Sequence, residues 1–62
     1  MEHAALQDQI NSLRKREAVC WDMSEVFLSS RDAHGLHDMS VEIQGIQWAI
    51  HELNKAARSI NT

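Results

Sequence analysis

The chain has 62 residues, a formal net charge of −3, 44% hydrophobic residues and one cysteine. A chain of this length forms one domain at most, and below about 70–80 residues a core of its own rarely supplies more than about 3–5 kcal/mol. The lone Cys20 excludes a disulfide within the chain and fits a reducing compartment. The composition argues against disorder, a membrane span or wholesale electrostatic attraction to nucleic acid. We therefore expect a cytoplasmic protein, without contact to a membrane, that gains stability from a partner.

The first predicted element is a helix over residues 4–30, where good helix formers follow one another without proline or glycine. Its apolar residues recur at helical spacing along one arc, which also contains Glu17 and Ser24. Because a buried carboxylate is costly without a partner, Glu17 requires a facing basic residue or a position at the edge of the arc. The main apolar arc consists of Leu6, Ile10, Leu13, Cys20, Phe27 and Leu28, with Trp21 beside it.

Turn-forming residues then follow over residues 31–38. Gly35 suits the left-handed conformation in which many helices end. Asp38, or alternatively Ser40, suits the N-cap of the next helix. The sequence therefore predicts a loop over residues 31–38 that is centred near Gly35.

The second predicted helix spans residues 39–60, and its apolar residues share one wide arc. Folding around the loop pairs the two arcs, which sets Phe27 opposite Ile43 and Cys20 opposite Ile50. The predicted fold is all-α: a single domain over residues 1–62, built as a two-helix antiparallel hairpin.

Each helix also carries a second apolar stripe, which a hairpin of two helices cannot bury. We expect these stripes to contact another chain, either a second copy in an antiparallel four-helix bundle or a partner protein. Trp48 either covers the core of the dimer or anchors a different protein, since tryptophan is enriched at interface hot spots. The predicted interface residues are Val19, Met23 and Val26 on the first helix and Val41, Gly45 and Trp48 on the second.

Basic residues form two clusters that the predicted register brings to one level, at the open end of the hairpin. The loop end is then acidic, so an antiparallel dimer would set opposite charges side by side. The basic band is also the candidate contact for nucleic acid. In overall plan, a short two-helix chain that dimerises, the protein is similar to the Rop family of plasmid RNA-regulating bundles, which implies RNA or DNA binding as the alternative function. The band consists of Arg14, Lys15, Arg16, Lys55 and Arg58.

The candidate metal ligands are His34 and His37, with Asp32 and Asp38 beside them. Strong metal sites add a second pair of ligands to such a unit, so we expect no metal and no cofactor. A phosphate-binding glycine loop, a catalytic serine signature and a nucleotide motif are all missing, so we expect no enzyme. The pattern instead predicts a small interaction or regulatory protein that homodimerises and modulates a partner, such as a transcription or signalling protein.

Overall fold

A computed structural model describes the backbone of residues 2–60 and the side chains of residues 4–60. Two helices, α1 (Glu2–Ser29) and α2 (Ala33–Ile60), pack against each other as a hairpin 47 Å long. Residues 2–60 contain no strand. The predicted all-α helical hairpin is confirmed, while its dimerisation into a four-helix bundle stays a prediction. Residues 1, 61 and 62 of the predicted domain lie outside the described residues.

The connection between the helices is much shorter than predicted. Only residues 30–32 separate them, so α2 begins at Ala33 and not at residue 39. The predicted loop over residues 31–38 is wrong because its two main signals lie inside α2. Gly35 is buried and does not have a positive φ. Asp38 does not cap α2 but lies one turn after His34, with 3.6 Å between its Oδ2 and His34 Nε2.

The turn itself is fixed by hydrogen bonds that end α1 and start α2. The amide of Asp32 donates to the carbonyl of Phe27 at 2.8 Å, and the amide of Arg31 to that of Leu28 at 3.1 Å. This is the Schellman pattern, and its left-handed residue is Arg31, with φ 57°. Asp32 then caps α2, because its Oδ1 accepts a hydrogen bond from the amide of Gly35 at 2.9 Å.

The short turn shifts the register of the hairpin by about two helical turns from the predicted one. Phe27 lies against Gly35 and not against Ile43, eight positions further along. Further from the turn, Arg16 reaches Glu42 across the interface between the helices. The predicted pairing of Cys20 with Ile50 belongs to the same wrong register.

The apolar core of the hairpin is small. Among the described side chains, the buried apolar ones are Ile10, Ile43 and Ile46. Ser24 is buried with them, and its hydroxyl donates to the carbonyl of Cys20 at 2.8 Å, which satisfies it within its own helix. A core of this size leaves much of the apolar surface of both helices uncovered.

Candidate interaction surface

One of the two grooves between the helices is largely apolar, and we call it the apolar groove. A salt bridge crosses it, in which Arg16 Nη2 lies 2.9 Å from Glu42 Oε1. Both residues line two adjoining depressions, one on each side of the bridge. The larger, of about 470 Å³, is lined on the α1 side by Lys15, Val19, Cys20 and Met23 and on the α2 side by Met39. The smaller is lined by Leu13, Val41, Gly45, Ile46 and Ala49 together with the bridge.

The two predicted stripes flank this same groove. Val19 and Met23 line it from α1, whereas Val41 and Gly45 line it from α2. Val19 is 61% exposed and Val41 56% exposed, and a Cβ at Gly45 would meet nothing within 4 Å. The hairpin therefore presents an open apolar surface on one side.

Val26 lies three residues after Met23 and Trp48 three residues after Gly45, each on the continuation of a stripe, and neither lines the two depressions. Val26 is 57% exposed, and Trp48, at 67%, is the most exposed of the large apolar side chains that the structure describes. All six predicted interface residues thus lie at least partly open to solvent on the hairpin. Their role in binding stays a prediction.

Hydrogen bonds cross the groove on the other side of the hairpin, and we call it the polar groove for that reason, although Leu36, Ile43 and the Trp21 ring also line it. Glu17 Oε2 accepts two hydrogen bonds there, from Trp21 Nε1 and from Gln47 Nε2, each at 3.0 Å. Ser40 and Gln44 line the same groove, beside the 52% exposed face of Trp21. Trp21 thus contributes a hydrogen bond at the surface. Of the two possibilities that the sequence left for Glu17, the facing basic residue is not found among the described side chains, and the carboxylate instead lies at the partly exposed edge and accepts hydrogen bonds from neutral donors.

These donors stabilise the charged form of Glu17. The bond from the Trp21 indole, followed by that from the Gln47 amide, lowers the pKa of Glu17 from its ordinary value. Partial desolvation acts in the opposite direction, and the positive charge of Arg14 adds a smaller lowering. The ionised carboxylate of Glu17 therefore links the two helices across the polar groove.

The predicted basic band does not form. In the observed register Arg16 lies near Glu42, whereas Lys55 lies toward the open end, where its Nζ is 3.4 Å from Glu52 Oε2. At a rise of about 1.5 Å per residue, Arg14, Lys15 and Arg16 lie more than about 10 Å along the hairpin from Lys55 and Arg58. The predicted level of the two clusters is wrong because it depended on the loop near Gly35, while contact of these residues with nucleic acid stays a prediction.

The candidate metal ligands do not converge. His34 and His37 both lie in the first turns of α2, where His34 is 89% exposed and faces Asp38. Among residues 4–60 no group of three His, Cys, Asp or Glu side chains is placed to hold a metal ion. Cys20 is half-buried in the wall of the apolar groove.

The sequence could have identified the Arg16–Glu42 bridge and the contribution of Met39 to the groove. The signal was Asp32, which is as good an N-cap as Asp38. A helix that starts directly after Asp32 brings Arg16 and Glu42 to within about one helical turn of each other along the hairpin. The bridge and the two halves of the apolar groove follow from that register.

No protein-family model matches the chain, and no curated protein or solved structure is significantly similar to it. Of the two helices, over the residues that the structure describes, neither is long and apolar enough to cross a membrane. The function of the hairpin must therefore be inferred from its surface chemistry.

Proposed function

We propose that this protein is a small, non-enzymatic interaction protein that homodimerises through the apolar groove, as a four-helix bundle, and binds a partner protein through Trp48. One observation carries the proposal: exposed apolar residues of both helices, Val19 and Met23 on α1 and Val41 on α2, flank the same groove, where the described residues leave them open to solvent. An exposed apolar groove between two helices is typical of a surface that another helical layer covers.

The surface of the hairpin is large enough for a stable dimer. A standard interface buries about 800 Å² on each partner, which is roughly one sixth of the 4768 Å² surface of the hairpin. One side of a two-helix layer is larger than that fraction of the surface, so the side that holds the apolar groove can accommodate an interface of standard size.

A pair of matched variants tests the dimer. Val41→Glu adds a charge in the apolar groove, whereas Gln44→Glu adds the same charge three residues away in the polar groove. Both side chains are exposed on the hairpin, so neither change disturbs its core. We expect Val41→Glu to raise the dissociation constant of the dimer at least tenfold and Gln44→Glu to leave it nearly unchanged, as measured by sedimentation equilibrium. Equal dissociation constants for the two variants would reject this surface as the interface.

Trp48 supports the second part of the proposal. The groove is lined from α2 by Val41, Gly45 and Ala49, whereas the 67% exposed Trp48 does not line it. A tryptophan that stays in water is a costly side chain and a common anchor in protein interfaces. The dimer and the partner would then use neighbouring but separate parts of α2.

Tryptophan fluorescence can distinguish a Trp48 that is buried in the dimer interface from one that stays exposed for a partner protein. The chain has two tryptophans, so Trp21→Phe leaves Trp48 as the only indole. We expect its emission maximum and its quenching by acrylamide to stay those of an exposed indole at concentrations above the dissociation constant of the dimer. A blue shift and protection from acrylamide on dimerisation would instead assign Trp48 to the dimer interface.

The location and the role of the protein are also part of the proposal. We place the protein in the cytoplasm because its single cysteine, Cys20, fits a reducing compartment, and we propose from its exposed apolar surface that it modulates a transcription or signalling protein. The alternative, RNA or DNA binding, would use two basic clusters that lie apart along the hairpin and not one contiguous band. Binding that weakens steeply with salt and disappears on neutralising Arg14, Lys15 and Arg16 would favour this alternative.

A further inference from the structure

The charge of the hairpin differs between its two halves. The half that contains the turn, residues 18–44, has five acidic residues and one basic residue, a formal charge of −4. The open half, residues 2–17 with 45–60, has four acidic and five basic residues, a formal charge of +1. The two values account for the net charge of −3. The difference in charge between the two ends that the sequence predicted is therefore also present in the observed register, although the basic residues do not form one contiguous band.

From this difference in charge we infer that a second copy packs on the apolar groove with its turn at the opposite end, related by a two-fold axis perpendicular to the helices. This inference rests on the proposed dimer and adds its orientation. Each acidic turn half then faces the basic open half of its partner. In this arrangement α1 packs on the partner's α1 and α2 on the partner's α2, each antiparallel.

The alternative orientation places both turns at the same end. In that dimer the two turn halves, each of charge −4, would face each other, and so would the two open halves, each of charge +1, so both facing pairs would repel. In the antiparallel dimer each turn half of charge −4 faces an open half of charge +1, so both facing pairs attract. The centres of the two halves lie about 20 Å apart along the hairpin. Because the Debye length is about 8 Å at physiological salt, the facing halves dominate over the diagonal ones. Electrostatics therefore favours the antiparallel dimer.

A distance between spin labels at the turn measures the orientation. The full chain carries Cys20→Ala, so that Arg31→Cys at the tip of the hairpin provides the only thiol, and because Cys20 lines the groove, the Cys20→Ala chain is first shown by sedimentation equilibrium to associate as the wild type does. In the antiparallel dimer the two labels would be separated by close to the 47 Å length of the hairpin. In a dimer with both turns at one end they would lie within about 20 Å, since each helix is about 10 Å in diameter. Pulsed electron–electron dipolar spectroscopy distinguishes these distances.

A second label provides the control for assembly. Ala18 is exposed and lies near mid-length, where the two orientations give similar separations. We expect a dipolar signal from Ala18→Cys in either dimer, together with a long distance from Arg31→Cys. A signal from Ala18→Cys with a short distance from Arg31→Cys would overturn the orientation and leave the proposed dimer intact. A monomeric wild-type chain in sedimentation, with no dipolar signal from either label, would reject the proposed function and with it this inference.

Discussion

The ring of Phe27 lies directly over Gly35, so that a Cβ at residue 35 would come 2.6 Å from Phe27 Cδ1 and 2.8 Å from Cγ. The two residues are on opposite sides of the turn, and their contact closes the hairpin at this end. Glycine is required here for close approach, because its backbone is helical and has no positive φ. This contact, more than the conformation of the loop, explains a glycine near the start of a helix.

Replacing Gly35 by alanine should therefore destabilise the hairpin. Alanine gains up to about 1 kcal/mol in helix propensity, but displacing the Phe27 ring costs typically about 1–3 kcal/mol. We expect the urea midpoint, followed by circular dichroism at fixed protein concentration, to fall. Ser40→Ala, at an exposed position of the same helix, is the control and should change the free energy of unfolding by less than about 0.5 kcal/mol. A Gly35→Ala variant as stable as the control would contradict the contact.

The N-cap of α2 can be tested with two aspartates six residues apart. Asp32→Ala removes the acceptor for the amide of Gly35 and should cost about 1 kcal/mol of stability. Asp32→Asn keeps an acceptor and should cost much less. Asp38→Ala lies inside α2 and should change the stability little. If Asp38→Ala were the more damaging change in urea unfolding, α2 would begin where the sequence first suggested.

The left-handed residue of the turn offers a stabilising substitution. Arg31 adopts φ 57°, a region that costs residues other than glycine roughly 1–2 kcal/mol. Arg31→Gly should relieve part of this strain and raise the urea midpoint. Ser30→Gly, one residue earlier, lacks that benefit and should lower it. A decrease of similar size in both variants would show that residue 31 is not left-handed.

The pH dependence of stability should carry a contribution from Glu17. Because the bonds from Trp21 and Gln47 lower its pKa in the folded state, the charged form stabilises the fold at pH values above the ordinary glutamate pKa. This contribution is lost as the pH falls through the lowered folded pKa. The advantage of the wild type over Glu17→Gln in unfolding free energy should therefore shrink as the solution is acidified below about pH 4.

The pKa itself gives a direct check on Glu17. Its side-chain carboxyl carbon should titrate in NMR at a lower pH than that of a glutamate in an unstructured model peptide, because two hydrogen bonds stabilise its charged form. Trp21→Phe should move the Glu17 titration up toward its ordinary range. A Glu17 that titrates normally in the wild type would contradict the link across the polar groove.

The sequence predicted the class of fold but not its register. Helical periodicity identifies two amphipathic helices, and it also placed Val19, Val41 and Trp48 at the surface of the hairpin. The turn was misplaced because its left-handed residue is Arg31, where no glycine signals it, while Gly35 suggested a helix end and serves a packing contact.

The wrong position predicted for the turn also changed which charged residues were expected to lie together. A shift of about two helical turns moved the basic residues out of one band and paired Arg16 with Glu42. The stripes were less affected, because their exposure depends on the face of each helix and not on the pairing between helices. What the periodicity could not show is that both stripes open onto the same groove.

Self-association of the wild-type protein is the central claim, and sedimentation equilibrium over a range from nanomolar to high micromolar concentration tests it most directly. The expected result is a reversible monomer–dimer equilibrium with the dimer dominant at micromolar concentration, because the three buried isoleucines leave the hairpin in need of further apolar burial. A helical, cooperatively folded monomer throughout that range would contradict the claim.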